Sequence, residues 1–150
     1  MRSEGGFYIS KIKQVQDRIF YKMLEDAGIE ISSGQGRILY VLWQEGPLSI
    51  SEIGKRASLA KTTMTAMLDR MEDKGIIVRS FDASDRRQTT VSLTPAAESM
   101  RDTYRKVSDE ITEIFYRGFS ENEKADFEDK LRRILDNLNK EERMKNERDG

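Results

Sequence analysis

The stretch "SISEIGKRASLAKTTMTAMLDRMEDKGIIVRSFDASDRRQTTVSLTP", residues 49–95, decides the fold. It opens on Ser49 with Glu52 three residues on, the spacing of a capping box at a helix start. A short helix, "ISEIGKRA", is followed by "SLA", which reads as a tight turn. The next helix, "KTTMTAMLDRMEDKG", puts Met64, Met67 or Leu68, and Met71 on one face at helical spacing and ends at Gly75. Two β-runs then appear, "IIVRSF" and "TTVSL", with "DASDRRQ" between them. Thr94 before Pro95 is a helix start, with Thr as cap and Pro at the first helical position. Two helices joined by a three-residue turn, then a two-stranded hairpin, predict a winged helix-turn-helix over residues 33–94. In such a motif the second helix enters the major groove of DNA.

The flanks are helical. "FYISKIKQVQDRIFYKMLEDAG" repeats Ile12, Val15, Ile19, Met23 and Ala27 at steps of three and four, closed by Gly28. A second helix, "GQGRILYVLWQEG", is offered a cap by Ser33 and is apolar nearly all round, so it reads as buried. After Pro95, Met100, Tyr104, Val107, Ile111 and Ile114 mark a long helix. "SENE", with Ser120 and Glu123, is a second capping box. It opens a helix carrying Phe127, Leu131, Ile134 and Leu138. Residues 141–150 are almost without apolar side chains and read as a disordered tail. The fold class is therefore mainly α with a small β-hairpin wing. Residues 1–32 and 95–140 form the flanking helical region.

Composition narrows the chemistry. The 150 residues include 26 basic and 27 acidic side chains, for a net charge of -1, and the mean hydropathy is -0.70. A polyanion site must therefore be local, since no global positive field exists. The chain has no cysteine and no histidine. That excludes disulfides, thiol redox sensing, zinc sites built on Cys or His, and every Ser-His or Cys-His catalytic arrangement. No pair of carboxylates is set beside a pocket or phosphate loop, so no enzyme is expected and neither metal nor cofactor is implied. No apolar run approaches the roughly 20 residues of a membrane span, and a cytoplasmic location is the default expectation.

The faces of the predicted recognition helix carry the functional reading. With Met64, Leu68 and Met71 inward, Lys61, Thr62, Thr63, Thr65, Ala66 and Asp69 lie outside. Solvated helix faces favour Glu, Lys, Arg and Gln, which are good helix formers. Three threonines near the start suit phosphates and thymine methyls instead. The ordinary alternative is that they cap the helix locally. At the hairpin tip, Arg86 and Arg87 read alone as a solubilising turn. Beside a helix-turn-helix, a tip arginine is placed to reach the adjacent minor groove. Residues 50–92 hold eight basic against six acidic side chains, so placement matters more than the sum.

The segment resembles the core of the MarR family of transcriptional regulators. The most specific match is the wing "D-x-x-D-R-R" followed by "V-S-L-T", and the second is "MLDRMEDKGIIV". The resemblance implies a homodimer that offers two recognition helices and two wings to a pseudo-palindromic double-stranded operator. It assigns Arg87 to the minor groove, with Asp85 and Asp69 holding it in place and Arg86 on phosphate. Lys55 and Lys61 are expected on phosphates. Thr62, Thr63, Thr65 and Arg70 complete the expected DNA face. Two departures stand out. Ala60 takes the place of the usual Ser or Asp cap, and Ala66 that of an arginine found in many members.

Apolar stripes on the terminal helices need a cover, which intrachain packing could supply. An intermolecular bundle is the preferred reading, with Ile12, Ile19, Phe127, Leu131, Ile134 and Leu138 as its dimerisation residues. Many family members bind small aromatic or phenolic anions. Tyr8, Phe20, Tyr21, Trp43, Arg18, Arg37, Tyr104, Phe115 and Tyr116 are candidate lining residues. The expected function is a dimeric, sequence-specific DNA-binding regulator, a repressor released by a small ligand. The alternative is a winged-helix module for protein–protein assembly without DNA readout.

Overall fold

A computed structural model describes residues 2–81, 84 and 88–150. The element order is α1 (Gly5–Asp26), α2 (Ser33–Glu45), β1 (Leu48–Ser49), α3 (Ile50–Ala57), α4 (Lys61–Asp73), β2 (Ile77–Phe81), β3 (Thr89–Leu93), α5 (Pro95–Phe115) and α6 (Glu121–Asp149). Residues up to Ile111 form one compact unit, and residues from Thr112 onward form a second.

In the first unit the winged helix-turn-helix is built around α2. Ile38, Leu39, Leu42 and Trp43 are buried there, as its near-continuous apolar character requires. They pack with Ile53 and Ala57 of α3, Met64, Leu68 and Met71 of α4, and Ile77 and Val91 of the sheet. Trp43 Nε1 donates to the Ala97 carbonyl at 3.2 Å, so its polar edge is satisfied where α5 begins. A smaller cluster joins Leu24, Ile29 and Val107.

The antiparallel sheet has three strands in the order β1-β3-β2. The apolar runs predict only two. Leu48 pairs with Val91 and Ser49 with Thr90, so "LS" closes the sheet edge just before Ser49 caps α3. A two-residue strand carries no alternation to read and exists through its pairing with β3. The wing pairs Ile77 with Leu93, Arg79 with Val91 and Phe81 with Thr89.

Two further differences concern helix ends. Ser32, rather than Ser33, caps α2. Its hydroxyl accepts the Gln35 N–H at 3.2 Å, and Gln35 Oε1 accepts the Ser32 N–H at 3.1 Å. A start one residue later would put Gly36, with no side chain, at the reciprocating position. Residues 141–149, expected to be disordered, continue α6 as helix to Asp149. Glu, Lys, Arg and Met are strong helix formers. Opposite charges four apart, Glu141 with Lys145 and Arg143 with Glu147, favour the helix without any core. The Ser120–Glu123 capping box is present as read.

Between α3 and α4, the turn Ser58–Ala60 is tight because Ser58 adopts a left-handed conformation, φ 55°. Its N–H and that of Leu59 both return to the Gly54 carbonyl. α4 begins at Lys61 with Ala60 giving no side-chain cap.

Candidate nucleic-acid interface

Burial of Met64, Leu68 and Met71 fixes the rotation of α4 and leaves Lys61, Thr62, Thr63, Thr65, Ala66, Asp69 and Arg70 exposed on its other face. The expected outward set is thus brought together on one surface. Thr65 also does local work, since its hydroxyl donates to the Lys61 carbonyl at 3.0 Å. Its methyl and remaining lone pairs are what it can offer a ligand. Lys55 on α3 and Lys61 on α4 line one cleft of about 650 Å³, together with Ser51, Gln88 and Thr89 at the base of the wing. Lys55 is held loosely, 3.8 Å from Glu52.

The expected partner of Asp69 was the wing arginine Arg87. The described residues give it another. Arg79 Nη2 donates to Asp69 Oδ1 at 2.7 Å and to Glu72 Oε1 at 3.3 Å, and Arg79 Nε donates to Glu72 Oε2 at 3.2 Å. The Arg79 backbone N–H also reaches Glu72 Oε2, at 3.1 Å. One guanidinium fork therefore ties strand β2 of the wing to two carboxylates on the recognition helix. Asp85, Arg86 and Arg87 lie outside the described residues.

Arg79 did not enter the expected site. A signal was present. Two residues after buried Ile77, it must face the same side of the strand, toward α4. Asp69 and Glu72, three apart, sit on one helix face.

Hydrogen bonds from Arg79 hold the Glu72 carboxyl below its ordinary value, and those to Glu72 and then Asp69 raise the Arg79 guanidinium. A depressed carboxylate stabilises the fold above its unfolded pKa, and that contribution is lost as pH falls through the folded one. The clamp is therefore intact at neutral pH and opens only below the ordinary carboxylate range. In Arg79→Ala, the Glu72 carboxyl should titrate higher than in wild type, back toward its ordinary value. Carbon-detected NMR titration reads this directly, and an unchanged Glu72 curve would remove Arg79 as the cause. Overall stability should change little, because these are exposed pairs.

The candidate small-molecule residues fall in both units. Phe20, Tyr21, Tyr104 and Trp43 form a chain of ring contacts in the first unit, with centroids 5.0–5.4 Å apart. Burial is the main reason the Tyr21 and Tyr104 phenols titrate above their ordinary value. Arg18 and Tyr21 line a cleft of about 670 Å³ with Lys22, Glu25, Gln35 and Lys74. Tyr8 is exposed near the start of α1, and Arg37 is exposed on α2. Phe115 and Tyr116 instead pack with Phe127 in the second unit, where the Tyr116 hydroxyl donates to Glu128 at 2.7 Å. Among the described residues, no cluster of carboxylates could hold a metal ion, and no helix is long and apolar enough to cross a membrane.

Comparison with known proteins places this geometry. The model of the MarR family matches residues 31–89. The chain is 32% identical to the uncharacterized HTH-type transcriptional regulator YcgE of Bacillus subtilis over 55% of this chain and 54% of that protein. It spans about half the length of the curated relatives it matches. Escherichia coli MarR C80S complexed with operator DNA has the same fold, with a TM-score of 0.79 at 24% identity, covering 87% of this chain and 92% of that one. So does Bordetella bronchiseptica BpsR, whose DNA binding is regulated by 6-hydroxynicotinic acid, with a TM-score of 0.79 at 21% identity over 89% and 99%. Residues 31–89, the segment that folds as helix-turn-helix and wing, are the part of this chain that resembles the MarR family.

Proposed function

We propose that the protein is a homodimeric transcriptional regulator that reads a pseudo-palindromic double-stranded operator, acting as a repressor that a small ligand releases. The observation that carries the reading is the exposed face of α4. It presents Lys61, Thr62, Thr63, Thr65 and Arg70 on a helix seated from behind by its buried stripe and tied to the wing by Arg79. A net charge of -1 leaves affinity to a few placed contacts. Lys55, Lys61 and Arg86 take phosphates, the threonines take base edges or phosphates, and Arg87 enters the minor groove with Asp85 beside it. The family match over this segment and the operator complex of the E. coli protein support the assignment.

Exposed apolar faces on α1 and α6 support the dimer. Ile12 and Ile19 on α1, and Ile134 and Leu138 on α6, are 42–63% exposed, with Phe127 and Leu131 half-buried on the same α6 stripe. A second copy covers these faces and sets the two recognition helices about 34–36 Å apart, one DNA turn. The ligand is an aromatic or phenolic anion held beside Tyr21 and Arg18, a reading supported by the regulation of BpsR. The protein is placed in the cytoplasm, with its DNA.

The wing arginine gives a direct test. Arg87→Ala should weaken specific binding by about 1–3 kcal/mol, the scale of a lost base-edge contact, while leaving folding intact. The measurement is a titration of labelled duplex from upstream of the coding gene. Equal affinities for the two proteins would take the wing out of the mechanism. Absence of any binding would favour the assembly-module reading.

A further inference from the structure

The recognition helix is seated on its scaffold by sulfur. Met64 Sδ lies 3.1 Å from where a Cβ would stand at Gly54 of α3. A Cβ at Gly34 of α2 would overlap Met67 Cε and come within 2.6 Å of Met67 Sδ, with Leu59 Cδ2 at 3.9 Å. Each thioether therefore lies close over a glycine, where an added Cβ would be accommodated only by a shift of the methionine. The two differ in access. Met64 and Met71 are fully buried, whereas Met67 is half-buried at the edge of the core. Met144 is exposed on α6. Without cysteine, thioethers are the only sulfur the chain has.

We propose that Met67 is a sulfoxidation site through which a hydroperoxide unseats the recognition helix and releases DNA. The proposal rests on the DNA-binding reading above. The thioether sulfur attacks the distal peroxide oxygen. The O–O bond breaks, an S–O bond forms, sulfur loses two electrons, and the peroxide leaves as alcohol or water. The product carries a strongly polar oxygen on a sulfur packed over Gly34 at the edge of the apolar core, where burying it without a partner is costly. α4 must then shift or roll away from α2, which carries Lys61, Thr62, Thr63 and Thr65 with it. At Met144 the same oxygen would stand in water and disturb nothing.

The test treats the whole chain with hydrogen peroxide and follows each methionine by peptide mass spectrometry, alongside anisotropy of the upstream duplex and the thermal midpoint. Wild type should lose about tenfold or more in affinity as Met67 sulfoxide accumulates. Met67→Leu should keep both binding and midpoint under the same treatment, and Met144→Leu should respond like wild type. Met67→Gln, which puts a polar oxygen in the notch without oxidant, should bind weakly from the start. Equal loss in Met67→Leu, or binding lost while Met67 remains a thioether, would overturn the proposal. So would Met67→Gln with wild-type affinity. If wild type binds no duplex, the DNA reading fails separately. The midpoint then decides, since an oxidative drop equal in wild type and Met67→Leu would exclude Met67 as the site.

Discussion

Leu68→Ala should lower the stability of the folded chain by about 2–5 kcal/mol, the range for truncating a buried leucine in a core that cannot fully collapse. Leu68 has no exposed surface and lies between Met64 and Met71 on the inward stripe of α4. It packs into one cluster with residues of α2, α3 and the sheet. Besides this stripe α4 is held to the wing by the Arg79 pairs, which are exposed and contribute little. Ala60 supplies no cap, and the three threonines at its start are weak helix formers. Its helicity therefore depends on packing, and a cavity behind Leu68 strikes the element proposed to face DNA. Urea unfolding of wild type and variant gives the difference. A loss below about 1 kcal/mol would mean that α4 is held by something other than this stripe.

Ile134→Glu should convert the proposed dimer to a monomer at low micromolar concentration. The isoleucine is 44% exposed on α6, so a glutamate is tolerated in the isolated chain. In a two-fold interface it appears twice, desolvated and without a partner, at a cost of several kcal/mol. Wild type should sediment at about twice the 17.4 kDa chain mass and the variant at that mass, both with the same helical content. A folded wild-type monomer at that concentration would remove the two-fold axis from the account.

Much of this architecture was legible because it rests on local chemistry. The 3.6-residue spacing of Met64, Leu68 and Met71 fixed which face of α4 turns inward. Ser120 with Glu123, and Thr94 before Pro95, marked helix starts that the structure contains. What escaped depended on pairings distant in sequence. β1 is too short to show a period and exists through its pairing with β3. Asp69 was read as a partner of Arg87, while Arg79, ten residues away and across the turn into β2, takes it among the described residues. The end of α6 shows the opposite error. Lack of apolar residues in 141–149 was read as disorder, yet a helix of charged residues forms from propensity and i,i+4 charge placement alone. The small-molecule candidates rest on residue type, and type alone does not show that Phe115 and Tyr116 pack with Phe127.

The salt dependence of DNA binding tests the central claim most directly. If Lys55, Lys61 and Arg86 of each subunit take phosphates, the dimer neutralises about six. Log affinity should then fall against log salt with a slope near about -5. Lys61→Ala should flatten that slope by about two units, one per subunit, for operator and scrambled duplex alike. Thr65→Val should erode the preference for the operator while leaving the slope in place. The measurement is fluorescence anisotropy over a salt series with the upstream duplex and its scrambled counterpart. The account predicts a preference for the upstream duplex at every salt, with parallel slopes. Equal binding of both duplexes throughout the series would contradict it, because no sequence would then be read.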